Sequence, residues 1–327
     1  MCRPASTESR ADVLAFDQPT TRLALVNNMP DGAFDATERQ FVDLIRAAST
    51  DTPTEITLYT LPGIERGRAT RTSLRERYRD LDELWADPPD ALIVTGTEPR
   101  ESRLEAEAYW SALAQLVTWA EQSTVSTVLS CLAAHAALLI FDGIERERLE
   151  HKCSGIFDNA VAHPHPLVAG LGDRVLVPHS RLNDVPTAML DAHGYTTLFQ
   201  ARDTSWTVAV KRRSRCLFVL CQGHLEYGTD TLLREYRRDV RRFLGDESLA
   251  YPRVPVDYVD LESAEVLGAF RTGVFDGSEP RGELAFPYRQ IASRLVNSWS
   301  RPAEHFYANW LGHVAEQAHD ARERVTS

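Results

Sequence analysis

Ser126–Phe141 reads STVLSCLAAHAALLIF, a short apolar strand that runs straight into an apolar helix with Cys131 at the junction. A strand apolar on both faces belongs inside a parallel sheet covered by helices on both sides. In open sheets of that kind, ligands gather beyond the carboxyl ends of the strands, which is where Cys131 falls. Working outward in both directions, the pattern repeats. Towards the N-terminus, Ala91–Thr95 (ALIVT) is a buried strand opening at Gly96, and Ala106–Glu121 is a helix with Trp110, Leu113, Leu116, Val117 and Ala120 along one face. Before them, Arg22–Asn27 (RLALVN) is a strand ending in a turn-like NNMPDG. Asp35–Glu38 resembles a capping box, and Phe41, Leu44, Ile45 and Ala48 fall at helical spacing. Glu55–Thr60 is a further strand, and residues 62–80, rich in Arg and loop signals, read as exposed.

Towards the C-terminus, strands are expected near 174–177, 197–201, 206–210 and 216–220, and a helix over Asp230–Phe243. Residues 250–290 have weak periodicity and read as an appendage, whereas 286–317 read as helical. The expected fold class is therefore α/β: a mostly parallel, flavodoxin-like sheet with helices on both faces, an antiparallel extension and a C-terminal helical extension. The expected organisation is a disordered tail over 1–20, one domain over 21–249, and an extension over 250–327 packed on that domain.

Composition removes several function classes. A formal net charge of −11 argues against broad nucleic-acid binding. No apolar run approaches the roughly 20 residues of a membrane span, and the start of the chain lacks the apolar segment of an export signal. The five cysteines, Cys2, Cys131, Cys153, Cys216 and Cys221, form no metal-ligand spacing, so no metal site is expected. An odd, scattered set of cysteines fits a reducing compartment, so a soluble cytoplasmic protein is expected.

Chemistry is concentrated at two places. A side chain on a tight strand-to-helix turn is presented at a helix N-terminus, where the dipole and free N–H groups favour a thiolate and an oxyanion. Cys131 fits that description, although a buried structural cysteine is the competing reading. The second place is Gly223-His224-Leu225-Glu226, after the apolar run CLFVLC. In extended chain, residues two apart point the same way, so Glu226 could orient His224, and His224 could take the Cys131 proton. The competing reading is a solvated ion pair in a loop. His135, four residues after Cys131, reads as a packing residue.

Several segments in order carry a family resemblance: NNMPDGAFDATERQF, ALIVTG followed by Tyr109-Trp110, CLAAHAAL, KCSGIFD, HPHPL, VPHSR, GHLEYG, YRRD and ANWL. From about Leu23 to Gln317 the chain resembles the homoserine O-acyltransferases (homoserine O-succinyltransferase), relatives of class I glutamine amidotransferases. The resemblance implies ping-pong acyl transfer from an acyl-CoA co-substrate, succinyl-CoA or acetyl-CoA, through Cys131 to the hydroxyl of L-homoserine, with no bound cofactor. It implies substrate contacts at Lys152 and Ser180, an amino-acid carboxylate held by Arg238, and a homodimer. Two positions depart from the family pattern. Asp31-Gly32 stands where lysines are usual near the oxyanion site. Arg100 falls on the position that discriminates acyl donors, where an arginine suits a succinyl carboxylate.

Overall fold

The computed structural model describes residues 20–202, 205–248, 250–277 and 286–326. The tail expected over 1–20 lies almost wholly outside them. In chain order the elements are β1 (Thr21–Val26), α1 (Asp31–Ala48), β2 (Thr54–Tyr59), α2 (Arg68–Arg77), α3 (Leu81–Ala86), β3 (Ala91–Val94), α4 (Trp110–Ser123), β4 (Ser126–Ser130), α5 (Leu132–Asp142) and β5 (Glu147–Val161). They continue with β6 (Arg174–Asp184), α6 (Thr187–Ala192), β7 (Thr196–Ala201), β8 (Ser205–Arg213), β9 (Cys216–Cys221), α7 (Thr231–Leu244), α8 (Leu261–Asp276), α9 (Tyr288–Ala292) and α10 (Ser300–Thr326).

One nine-stranded sheet has the order β2-β1-β3-β4-β9-β8-β7-β5-β6. The run β2-β1-β3-β4-β9 is parallel, and from β9 outward every pairing is antiparallel. This is the expected parallel core with its antiparallel extension. The central strands β3, β4 and β9 are buried along their whole length, as strands covered on both faces must be.

The two covers come from different parts of the chain. On one face, Leu23, Leu25, Ile93, Val128 and Val219 pack with Phe41 and Ile45 of α1 and with Phe306, Trp310 and Val314 of α10. On the other, Ala24, Val94, Leu129 and Leu220 pack with Leu113 and Val117 of α4 and Ala133–Leu138 of α5. A third cluster joins Leu232, Tyr236 and Val240 of α7 to Leu267 and Phe270 of α8 and to Trp299. Residues beyond 250 thus contribute to a face of the main sheet. The indole of Trp310 donates to Ser126 Oγ at 2.8 Å, at the start of the strand that leads to Cys131.

Local corrections follow from packing. Residues 62–80 contain α2, whose polar surface buries only Thr70. Asp35–Glu38 is no cap. The helix α1 starts at Asp31, behind Pro30, and Asp35 and Glu38 both pair with Arg77 of α2. The 250–290 stretch contains α8, capped by the Asp260 carboxylate on the Ser263 N–H at 2.8 Å. The helical stretch expected over 286–317 is two helices, α9 and the 27-residue α10. The long strand β5 was not legible as a strand, because its half-exposed ERLEHKCSGIFDNAV alternates poorly.

Candidate active site

Parallel pairing of β4 with β9 builds the centre of the site. The register sets Ser130 opposite Cys221, and the Cys131 N–H donates to Cys221 O at 2.7 Å. The end of β4 and the end of β9 are therefore level, and the segments leaving them, Cys131 on one side and Gln222–Glu226 on the other, emerge together. Cys131 occupies φ 51°, ψ −109°, a sparsely populated conformation for a residue with a Cβ. Such a conformation costs about 1–3 kcal/mol and is held only where surrounding structure over-determines it. Here the strand pairing on one side and the helix on the other do so, with Cys131 O accepting from the N–H groups of Ala134 and His135.

Gly96, at the end of β3, closes on this turn. A Cβ there would stand 3.1 Å from Leu132 N and 3.3 Å from Ser130 O. The first N–H groups of α5 have no partner within the helix, so the close approach of a glycine leaves polar hydrogens facing the thiol's side of the turn.

His224 and Glu226 come together, but not through extended chain. Residues 225–226 form a turn, and Tyr227 N–H points back to His224 O at 3.4 Å. The His224 Nδ1–Glu226 Oε1 distance is 2.8 Å and both residues are buried. The His224 N–H donates to Pro178 O at 2.8 Å, which fixes the loop against β6. Gly223 lets it lie there: a Cβ would stand 2.7 Å from Val177 Cγ1 and 2.8 Å from Thr207 Cγ2. The ring stacks on Tyr227 with centroids 4.1 Å apart.

With Nδ1 committed to Glu226, Nε2 is buried and has no hydrogen-bond partner of good geometry among the described residues. The Cys131 sulfur is nevertheless near enough to act on the ring. Burial lowers the imidazole's proton affinity, but the charge of Glu226, its hydrogen bond to Nδ1 and the nearby Cys131 sulfur outweigh it and hold the His224 pKa well above its ordinary value. This is an imidazole poised to hold a proton beside the Cys131 sulfur.

His135 is buried, and its Nε2 meets Gln222 Oε1 at 2.8 Å, tying α5 to the segment just before His224. Burial brings its pKa down to about 4, with nearby arginines adding to the fall, so it is a neutral packing residue. Three further histidines are engaged separately: His163 with Thr197 O, His165 with the Leu167 N–H, and His179 with Thr207 Oγ1. Among the described residues no group of three His, Cys, Asp or Glu side chains is arranged to hold a metal ion. No helix among them is long and apolar enough to cross a membrane.

Lys152, Ser180 and Arg238 lie on β5, β6 and α7, and two carboxylates of α7 gather them. Ser180 Oγ donates to Glu235 Oε2, Lys152 Nζ reaches Asp239 at 2.7 Å and Glu235 at 3.4 Å, and Arg238 donates twice to Asp239 Oδ1 at 3.1 Å. Tyr227 closes the circle, donating to Glu235 Oε1 at 2.7 Å while its ring covers His224. Glu235 thus links Tyr227, which covers the imidazole, to Lys152 and Ser180, while Arg238 is held by Asp239. Burial raises its pKa, but the charges of Lys152 and Arg238 and the hydroxyls of Ser180 and Tyr227 bring it below the usual carboxylate value. Sequence reasoning passed over Glu235. The available signal was its i, i+3, i+4 spacing with Arg238 and Asp239, which sets all three on one side of a helix.

Arg100 stands apart from this cluster. Its guanidinium is 66% exposed and pairs with Glu65 at 2.6 Å. Its backbone N–H, with that of Glu101, donates to the buried Glu107 carboxylate at 2.6 and 2.8 Å, which fixes the loop after Gly96. Asp31 accepts the Gly67 N–H at 2.6 Å, and Arg66, beside it, bonds the carbonyls of Asn27 and Met29.

Residues 8–321 match the family model described as homoserine O-succinyltransferase. The homoserine O-succinyltransferase of Rhodopseudomonas palustris is 40% identical over 316 residues, covering 97% of this chain and 92% of that protein. Those of Methylorubrum extorquens and Bradyrhizobium japonicum are 41% and 37% identical, covering 93% and 96% of this chain and 91% and 96% of theirs. Among solved structures, SMU.1228c shares the fold, with a TM-score of 0.51 at 13% identity over 89% of this chain and 98% of that one. A glutamine amidotransferase from Methylobacillus flagellatus gives a looser overlay, with a TM-score of 0.48 at 14% identity over 90% and 94%. A match that spans nearly the whole chain, with relatives of such identity and coverage, shows that the chain belongs to the homoserine O-succinyltransferase family.

Proposed function

We propose that the protein transfers a succinyl group from succinyl-CoA to the hydroxyl of L-homoserine through a thioester on Cys131, a step of methionine biosynthesis. The observation that carries the reading is the buried His224–Glu226 pair with its free Nε2 beside a cysteine on a strained turn.

In the first half-reaction His224 takes the Cys131 proton and the sulfur attacks the thioester carbonyl. The new C–S bond forms, the oxyanion is held by N–H groups at the start of α5 and near Gly96, and the CoA thiolate leaves with the proton from His224. In the second, His224 takes the hydroxyl proton of homoserine, the oxygen attacks the acyl-enzyme, and the Cys131–acyl bond breaks. One imidazole serves both halves as base and then acid, for which a carboxylate fixing its tautomer is the physical requirement.

The acceptor is a zwitterion, and the cluster around Glu235 offers both signs of charge. Arg238 suits its carboxylate by bidentate hydrogen bonding. Glu235, ionised, suits its ammonium, and Lys152 and Ser180 hold Glu235 in place. Arg100 borders the donor's path through the loop after Gly96. Cytoplasmic residence and a homodimer belong to the same reading.

The test is intact-protein mass after mixing with succinyl-CoA, on wild type and Cys131→Ala, followed by a chase with L-homoserine. A succinyl adduct that needs Cys131 and is discharged by homoserine is expected. An adduct that survives homoserine but is discharged by serine would move the acceptor. Absence of any adduct, with glutamine hydrolysed instead, would replace the reading by amidotransferase chemistry.

A further inference from the structure

Arg146 carries a charge that no carboxylate pairs among the described residues. It lies between α5 and β5, is half-buried, and among the described residues has neither an ion pair nor a side-chain hydrogen bond. Desolvation lowers its pKa, and the groups whose charges act against that are Tyr109, Cys131 and Glu107. No ion pair joins it to Glu107 among the described residues, and Glu107 Oε1 accepts from the N–H groups of Arg100 and Glu101. An unpaired guanidinium withdrawn from water is costly, so its persistence beside a nucleophile calls for an anion that arrives with the substrate.

Tyr109 supplies an independent observation. The residue is 5% exposed, and its hydroxyl is buried without a hydrogen-bond partner. Tyr109, Leu104, Leu132 and Ile144 belong to one apolar cluster, which brings the loop after β3, the residue after Cys131, and the segment carrying Arg146 against each other. The buried Tyr109 hydroxyl and the Arg146 guanidinium are close enough to act electrostatically on each other, and the guanidinium and the Cys131 sulfur likewise. A four-carbon diacid bound as a thioester carries its free carboxylate about 5 Å from the sulfur by standard bond lengths. A charged hydrogen bond adds about 3 Å of reach.

We propose that Arg146 and the Tyr109 hydroxyl bind the free carboxylate of a dicarboxylic acyl donor, so that this pair selects succinyl over uncharged acyl groups at Cys131. The assignment rests on the thioester reading of Cys131. It places the carboxylate inside the site, away from Arg100, whose guanidinium is exposed and already paired with Glu65.

The experiment compares rates of Cys131 acylation by succinyl-CoA and by butyryl-CoA, which has the same four carbons without the carboxylate. Both are followed by intact mass on wild type, Arg146→Ala, Arg146→Lys, Tyr109→Phe and Arg100→Ala. Arg146→Ala is expected to slow succinylation about 30- to 100-fold, the range of a charged hydrogen bond, and to leave butyrylation within about threefold. Arg146→Lys should recover part of the loss, and Tyr109→Phe should show a smaller loss, about fivefold, with the same donor dependence. Butyrylation also reports folding, and the lysine variant serves if the alanine variant is unstable. Equal losses on both donors, or a succinyl-specific loss from Arg100→Ala alone, would overturn the assignment. If neither donor labels wild-type Cys131, the thioester reading itself fails, which is a separate outcome.

Discussion

Replacing Glu226 by Gln keeps the shape of the site and removes one charge. In the wild type, the 2.8 Å bond from His224 Nδ1 to a buried carboxylate stabilises the imidazolium over the neutral ring. A charge-assisted bond exceeds a neutral one by about 1–2 kcal/mol, and the buried carboxylate adds attraction that glutamine lacks, so the imidazolium loses about 2 kcal/mol. That lowers the His224 pKa and corresponds to a loss of about 30-fold in acylation rate. The direction of the pH effect follows from the same bond. His224 titrates well above its ordinary value in the folded protein, so the imidazolium persists through neutrality and disappears as pH rises through the raised pKa. The stability it contributes is complete below the ordinary imidazole pKa and is lost over the same alkaline window. Glu226→Gln should therefore pull the alkaline limb of the acylation rate towards neutral pH. Single-turnover acylation of Cys131 by succinyl-CoA across pH measures both effects. A variant whose alkaline limb is unmoved and whose rate stays within threefold of wild type would refute the assignment of Glu226 as the group that supports the imidazolium.

Glu235→Gln should spare acylation of Cys131 and weaken homoserine, with KM raised about 10- to 50-fold, since a charged hydrogen bond to the ammonium becomes neutral; separate kinetics of the two half-reactions check this. Gly223→Ala forces a Cβ to within 2.7 Å of Val177 and 2.8 Å of Thr207, so the loop must shift, lowering stability by about 1–3 kcal/mol and slowing acylation; thermal melting and intact-mass kinetics report the two effects. Trp310→Phe removes the indole donor to buried Ser126 Oγ and should cost about 1–3 kcal/mol of stability with little change in kcat, read by denaturant unfolding beside a steady-state assay.

The parallel core was legible because its strands are apolar along their whole length, as in ALIV of β3 and CLFVLC of β9, with amphipathic helices between them. Cys131 was legible for the same reason: the junction of an apolar strand and an apolar helix marks a turn whatever the residue there. The His224–Glu226 pair was legible as a spacing, but by an argument from extended chain, whereas a turn brings the two together. β5 escaped because half-exposed strands in an antiparallel extension carry mixed side chains without a clean period of two. Glu235, Arg146 and Tyr109 escaped for a different reason. Each owes its interest to what surrounds it: Glu235 to the donors Lys152, Ser180 and Tyr227 from outside its helix, and Arg146 and Tyr109 to having no hydrogen-bond or ion-pair partner among the described residues. Neither condition leaves a trace in local sequence.

The two sides of Cys131 differ in how their charges are balanced, and that difference bears on the order of events. On the acceptor side, Lys152 and Arg238 are matched by Glu235 and Asp239, so the cluster is close to neutral before homoserine arrives. A zwitterion can enter by exchanging its own charges for these, at little net electrostatic cost. On the donor side, Arg146 is unmatched, and only an anionic acyl group completes it. On the proposed assignment, acylation then places an anion against Arg146, which has no ion pair among the described residues, while leaving the acceptor cluster unchanged. A site so arranged gains more from binding the donor first. Under the proposed ping-pong sequence, homoserine arriving early finds a neutral cluster and no ester to attack.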